Sequence, residues 1–190
     1  MTSIARQTLR VHSDTVCAAV SQIEVDVARL RPGRLIFTYV ITGKIDAVAI
    51  PPLEHPARTD DLWQHTCFEA FLRDAAGEGY CEFNFAPSTR WAAYRFSGYR
   101  NERREVSEIN APVIAVESDA GWFRLRASLD VGRLQLPAPN DKAGARDWTG
   151  RCGLAAVIEE TNGRRSYWAL AHPPGKPDFH HADGFALEVT

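Results

Sequence analysis

The chain has 190 residues, with 22 Lys and Arg against 24 Asp and Glu, a formal charge of -2. That balance excludes the concentrated basic surface that nucleic-acid binding needs: the one local excess, Arg100 with Arg103 and Arg104, is interrupted by Glu102 and followed by Glu105 and Glu108, as on a solvated strand edge. With 45% hydrophobic and 24% charged residues the composition is globular, long enough to bury a core without staples, and neither disordered nor fibrous.

Residues 1–33 are expected to form an edge strand or a peripheral segment, with a helical turn after Ser13 or Asp14 as N-cap. The opening MTSIARQTLRVHSD lacks the apolar stretch and cleavage site of a secretory leader, and no later apolar run is long enough to cross a bilayer. A cytoplasmic location is therefore expected, without membrane contact. Short runs rich in aromatic and β-branched residues then predict strands over Arg34–Thr42, Cys67–Arg73, Tyr80–Ala86, Trp91–Ser97, Pro112–Glu117, Trp122–Ser128, Gly153–Glu160, Ser166–Ala171 and Phe185–Val189. A second helical turn is expected near Asp130 to Leu134. Breakers cluster at Ile50–Pro56, Asp74–Gly79, Leu136–Asp147 and Pro173–Asp183, and the last two read as long loops of the kind that carry binding residues. No long segment has a 3.6-residue apolar period, which argues against alternating strands and helices. The pattern predicts an all-β chain: one domain over residues 1–190, an antiparallel β-sandwich of jelly-roll or immunoglobulin-like type with one or two short helical turns.

The best-marked unit is the pair Cys67–Arg73 and Tyr80–Ala86, joined by Asp-Ala-Ala-Gly-Glu-Gly. Setting Arg73 opposite Tyr80 puts Leu72 opposite Cys81, Ala70 opposite Phe83, Glu69 opposite Asn84 and Phe68 opposite Phe85. One face, with Phe68, Ala70, Leu72, Cys81, Phe83 and Phe85, reads as core. The other carries Glu69, Phe71, Glu82 and Asn84, a mixture that a merely solvated face does not require. Alternation in the next strand adds Arg90, Ala92 and Tyr94 to that second face.

The segment Arg58-Thr-Asp-Asp-Leu-Trp-Gln-His-Thr-Cys-Phe-Glu-Ala-Phe-Leu72 resembles the stretch in which DOMON-like and family 9 carbohydrate-binding modules place a tryptophan and, six residues on, a glutamate. The resemblance continues through Tyr80-Cys-Glu-Phe-Asn-Phe-Ala-Pro, Gly121-Trp-Phe-Arg-Leu-Arg-Ala-Ser-Leu-Asp, Tyr167-Trp-Ala-Leu and Phe179-His-His-Ala-Asp-Gly-Phe-Ala-Leu-Glu-Val. It implies a non-catalytic domain that binds a saccharide on a concave face, with Trp63 and Trp168 sandwiching a sugar and Glu69 and Arg90 bonding its hydroxyls. Asn84, opposite Glu69 in the register above, is a further polar contact. A sugar ring has an apolar C–H face suited to an aromatic plane, and its hydroxyls need paired donors and acceptors. The plain alternatives are tryptophans that pack core or rim, and a cross-strand ion pair between Glu69 and Arg90.

Other chemistries have thinner support. The haem-binding members of the wider group use methionine and histidine, but Met1 is the only methionine, which leaves His65, His172, His180 and His181 as axial candidates. Calcium could draw on Asp60 and Asp61 or on Asp178 and Asp183, though no spacing resembles a calcium loop, so the expectation is no cofactor. Cys17, Cys67, Cys81 and Cys152 form no CxxC pair and are expected to be reduced and mostly buried. A hydrolase-like enzyme would have to be assembled from Glu69 with Glu82 or Cys67 with His65, without any GxSxG, HExxH or phosphate-cradling glycine motif. A protein-interaction module would show an exposed apolar patch in place of a polar and aromatic pocket.

Overall fold

The computed structural model describes residues 2–74, 77–134 and 148–190. Among them are twelve strands: β1 (Thr2–Val11), β2 (Val20–Arg31), β3 (Arg34–Gly43), β4 (Cys67–Asp74), β5 (Tyr80–Phe85), β6 (Trp91–Phe96), β7 (Arg104–Glu105), β8 (Val113–Asp119), β9 (Trp122–Asp130), β10 (Gly150–Glu159), β11 (Arg165–Ala169) and β12 (Leu187–Val189). All their pairings are antiparallel. One layer runs β1-β2-β3-β9-β8 and the other β7-β6-β5-β4-β10-β11, with β12 also on β10. The layers join where the end of β1 leaves β2 and pairs Arg10 and Val11 with Ala169 and Trp168 of β11. The molecule is an antiparallel β-sandwich. Among the described residues no helix is long and apolar enough to cross a membrane.

The core follows from strict alternation. In β2, Ile23, Val25 and Val27 are fully buried while Gln22, Glu24 and Asp26 point away, and because the strand pairs with β1 on one side and β3 on the other it is an interior member of its sheet and not a peripheral segment. Rings from the two layers meet across the core: Tyr39 against Phe68 at 5.0 Å between centroids, Phe123 against Phe68 at 6.1 Å and Phe37 against Phe85 at 6.2 Å. Each such buried side chain contributes about 1.5–3 kcal/mol by leaving water. Tyr39 also crosses the sandwich with its hydroxyl, which donates to the Glu69 carbonyl at 2.7 Å.

The predicted hairpin register between β4 and β5 is the observed one, pair for pair from Arg73 opposite Tyr80 to Phe68 opposite Phe85. The expected helical turns at residues 13–14 and 130–134 are hydrogen-bonded turns instead, closed by Thr15 N–H to the His12 carbonyl and Leu134 N–H to the Val131 carbonyl. Single 3-10 turns lie elsewhere, at Ile45–Ala47, Leu62–Gln64 and Ala182–Gly184. The expected loop Leu136–Asp147 lies outside the described residues. At Gly150, which pairs with both Asp74 and Val189, a Cβ would stand 2.3 Å from the Arg73 carbonyl oxygen, so only glycine fits where β4, β10 and β12 crowd together.

The feature that matters for function is on the outside of the second layer. β10 is buried on both faces, because residues 170–186 cross back over the sheet before β12. A second apolar cluster forms beneath that segment from Phe71, Tyr80, Phe96 and Phe185 with Ala92, Tyr94, Ala155 and Ala169. At Gly153, a Cβ would lie 3.1 Å from the Gly184 carbonyl oxygen and 3.3 Å from Phe71 Cβ, which measures how closely the crossing segment is pressed onto the sheet.

Candidate ligand-binding cleft

Reading straight across the second layer, Ala169, Ala155, Glu69, Asn84 and Ala92 fall in one row of paired residues. Three of the five are alanines, so this row is a trough. It runs between the taller rows that hold Tyr167 and Val157 on one side and Phe71, Glu82 and Tyr94 on the other. Over it opens a cleft of about 640 Å³. Its floor presents Glu69 and Glu82; its sides are Val157, Tyr167, Tyr94 and Phe96 from the strands, Asp61 and Trp63 from the 3-10 turn at Leu62–Gln64 and its N-cap, Arg100 and Arg103 from beyond β6, and Lys176, Pro177, Phe179 and His180 from the crossing segment. Asp61 (φ 61°) and Arg100 (φ 51°) hold left-handed backbone conformations that cost a non-glycine residue free energy and set the directions of the loops they belong to.

The floor is a chain of hydrogen bonds. The Arg100 N–H donates to the Tyr80 hydroxyl at 3.2 Å, and that hydroxyl shares a hydrogen bond with His180 Nδ1 at 2.7 Å. The other ring nitrogen of His180, Nε2, faces Glu82 Oε2 at 3.7 Å. Asn84 Nδ2 donates to Glu82 Oε1 at 2.6 Å, and the Cys67 thiol donates to Asn84 Oδ1 at 3.6 Å. Glu69 stands apart. It is 3% exposed, and its Oε1 is a buried acceptor with no hydrogen-bond partner.

Burial, then the neighbouring Glu82, pushes the Glu69 carboxyl well above the ordinary range, against the pull of Arg100. Burial also raises Glu82, opposed by the Asn84 hydrogen bond and by Arg100 and Arg103. Burial among Phe71, Tyr80 and Phe96, together with Arg100, holds His180 down to about 4, so it is neutral at physiological pH. The rim is held by Asp178, which accepts from Tyr99 at 2.6 Å, Arg100 at 2.8 Å and the His180 N–H at 3.1 Å, tying the crossing segment to the loop after β6. Tyr94 donates to Asp60, and Arg103 lies over the Tyr94 ring at 4.6 Å.

Of the residues singled out from the sequence, the fold brings Trp63 and Glu69 into the cleft, with Asn84 directly beneath, bonded to Glu82. Trp63 is 45% exposed, as a stacking surface must be. Arg90 and Trp168 are elsewhere. Arg90 sits in the turn before β6, where it pairs with Glu54 at 2.7 Å. Trp168 pairs with Ala156, whose side chain faces the sandwich interior; the indole is 5% exposed and donates to Ser166 at 3.0 Å. Its neighbour Tyr167, one residue out of phase, is the aromatic that faces the cleft, 6.1 Å from Phe179. Strand parity carried that information, since Tyr167 falls on the same side as Val157, Glu69 and Glu82.

Of the pairs considered for other chemistries, Glu69 and Glu82 share the cleft floor, whereas Cys67 and His65 do not come together. Cys67 is fully buried with its thiol pushed well up by burial, while His65 pairs with Glu159 at 2.8 Å on the surface. Asp60 and Asp178 are engaged by Tyr94, and by Tyr99 and Arg100. Among the described residues no group of three or more His, Cys, Asp or Glu is placed to hold a metal ion.

Fold and cleft together define a β-sandwich with a polar and aromatic depression on the outer face of one sheet. No family model matches the sequence, and no curated protein does. Among solved structures, the chain is similar to a protein from Bacteroides uniformis to which carbohydrate binding is provisionally ascribed, with a TM-score of 0.65 at 13% identity over 95% of this chain and 84% of that one. This likeness is one of fold. Family 9 carbohydrate-binding modules from Caldicellulosiruptor kristjanssonii, in complex with cellotriose and with glucose, align over 90% of this chain and 75% and 76% of theirs, each with a TM-score of 0.46 at 12% identity.

Proposed function

We propose that this protein binds a small saccharide in the cleft over β4, β5 and β10, without acting on it. The observation that carries the reading is Glu69: a buried carboxylate oxygen with no partner, at the bottom of an open cleft whose walls are aromatic. An orphaned buried acceptor costs about 1–3 kcal/mol, and a fold keeps it where a ligand donor relieves that cost. Vicinal sugar hydroxyls donate to Glu69 and Glu82, while the C–H face of the ring lies against Trp63 and Tyr167. The volume of about 640 Å³ suits a ligand of one to a few sugar rings. The Bacteroides uniformis neighbour shares the sandwich, so its ascribed ligand class is in keeping with this reading, which rests on the cleft itself.

Isothermal titration of the protein with mono- and disaccharides, alongside Glu69→Gln and Trp63→Ala, tests it. Saturable binding to wild type that is lost in both folded variants is the expected result. Heat from no saccharide, or binding untouched by Glu69→Gln, would overturn it. Appearance of cleaved sugar in the titration cell would make the floor carboxylates an acid–base pair, and the protein an enzyme.

A further inference from the structure

The charges around the cleft are sorted by depth, and the sorting defines the ligand more narrowly than a sugar. At the floor, Glu82 and the unpartnered Oε1 of Glu69 offer acceptors to a ligand that brings donors. At the rim stand three cations, of which Arg100 is committed to Asp178 at 2.8 Å, and one carboxylate, Asp61, beside Trp63. Arg103 and Lys176 are exposed, and among the described residues neither has a carboxylate within ion-pairing distance; Arg103 is oriented instead by its stack on Tyr94 at 4.6 Å. Asp178 pins the Arg100–Arg103 loop to the segment bearing Lys176, so both cations stand on the same margin. A neutral sugar satisfies the floor and leaves that margin solvated. A cationic ligand satisfies the floor and is repelled at the margin.

Resting on the saccharide reading above, we infer that the ligand is an acidic saccharide, whose ring hydroxyls meet Glu69 and Glu82 while its carboxylate reaches Arg103 and Lys176. Exposed ion pairs are individually weak and screened by salt, so the expected preference for an acidic sugar over its neutral counterpart is roughly three- to tenfold at low ionic strength. His180, on the same side, stays neutral and does not counter it.

The experiment is titration of the full chain with three matched pairs, the methyl glycosides of glucose, galactose and mannose against those of glucuronate, galacturonate and mannuronate, at about 20 mM and 500 mM salt. The expected result is tighter binding of at least one acidic member, with the preference shrinking at high salt. In the double variant Arg103→Ala/Lys176→Ala the ratio of acidic to neutral affinity should fall to near one, and Lys176→Glu should lower it further. If a neutral member binds as tightly as its acidic partner, the saccharide reading stands and this inference fails. If none of the six binds, both fail together.

Discussion

Replacing Glu69 by glutamine separates what the residue does for the ligand from what it costs the fold. In the unliganded protein its carboxyl is buried, short of a partner on Oε1 and next to a second buried carboxyl, and its pKa is well above the ordinary 4.5. Below pH 4.5 the group is protonated in both folded and unfolded chains and costs the fold no ionisation energy. As pH rises past that value, the unfolded chain releases the proton and the folded chain does not, so wild-type stability falls with rising pH until the raised folded value is reached. Glutamine removes that linkage and the charge while keeping the shape. A chain of this size shifts by about 2–4 °C per kcal/mol, so Glu69→Gln should melt above wild type at pH 8 by about that much for each kcal/mol of linkage removed. The difference should shrink towards zero at pH 4. Thermal unfolding followed by circular dichroism between pH 4 and 9 reads both effects. A wild type that gains on the variant as pH rises would refute the reasoning, because it would mean that the free protein already satisfies the ionised carboxylate.

Three further outcomes follow from the same geometry. Trp63→Ala should leave unfolding within about 0.5 kcal/mol of wild type yet weaken saccharide binding about tenfold, whereas Trp168→Ala should cost about 3–5 kcal/mol; equal destabilisation in denaturant titrations would contradict their opposite placements. Tyr39→Phe removes the hydroxyl that spans the sandwich to the Glu69 carbonyl and should cost about 1 kcal/mol, read by the same titrations, with a modest loss of affinity because the floor is less firmly seated. His180 is held from 6.5 down to about 4, so the unfolded chain takes up its proton first and stability is lost as pH falls through that window, by roughly 3 kcal/mol. His180→Phe should therefore gain on wild type as pH drops from 6.5 to 4, and a constant difference between the two would show that the histidine is not kept neutral.

What the sequence revealed was governed by period-two alternation and by little else. Cys67–Arg73 and Tyr80–Ala86 alternate so cleanly that their register, and the oddity of Glu69 and Glu82 sharing a face with Phe71, could be read residue by residue. The same alternation of Ile23, Val25 and Val27 with Glu24 and Asp26 marks β2 as a strand with one buried face, while its interior place rests on pairing with β1 and β3; among the described residues of β1 only Leu9 is buried, which leaves almost no periodic signal there. Parity also separates Tyr167 from Trp168: the first faces the cleft and the second the sandwich interior. Arg90 failed for a different reason: the turn from Ala86 to Arg90, with Thr89 at φ 76°, takes it out of phase with the strand that follows. Lys176, Phe179 and His180 lie in a Pro- and Gly-rich segment whose path over the sheet depends on long-range contacts such as Asp178 with Arg100, and no local pattern encodes that path.

The crossing segment over the second layer divides the cleft into parts with very different freedom to change. Glu69 is joined through its own backbone to Tyr39 and the interior, and Glu82 through Asn84 and His180 to the aromatic cluster, so a substitution at either is felt by the whole sandwich. Trp63, Arg103 and Lys176 lie outside the sheet strands, and Arg103 meets the aromatic cluster through its stack on Tyr94. Over evolutionary time a descendant can therefore exchange its margin, and with it the charge and size of what it admits, while inheriting an unaltered carboxylate floor.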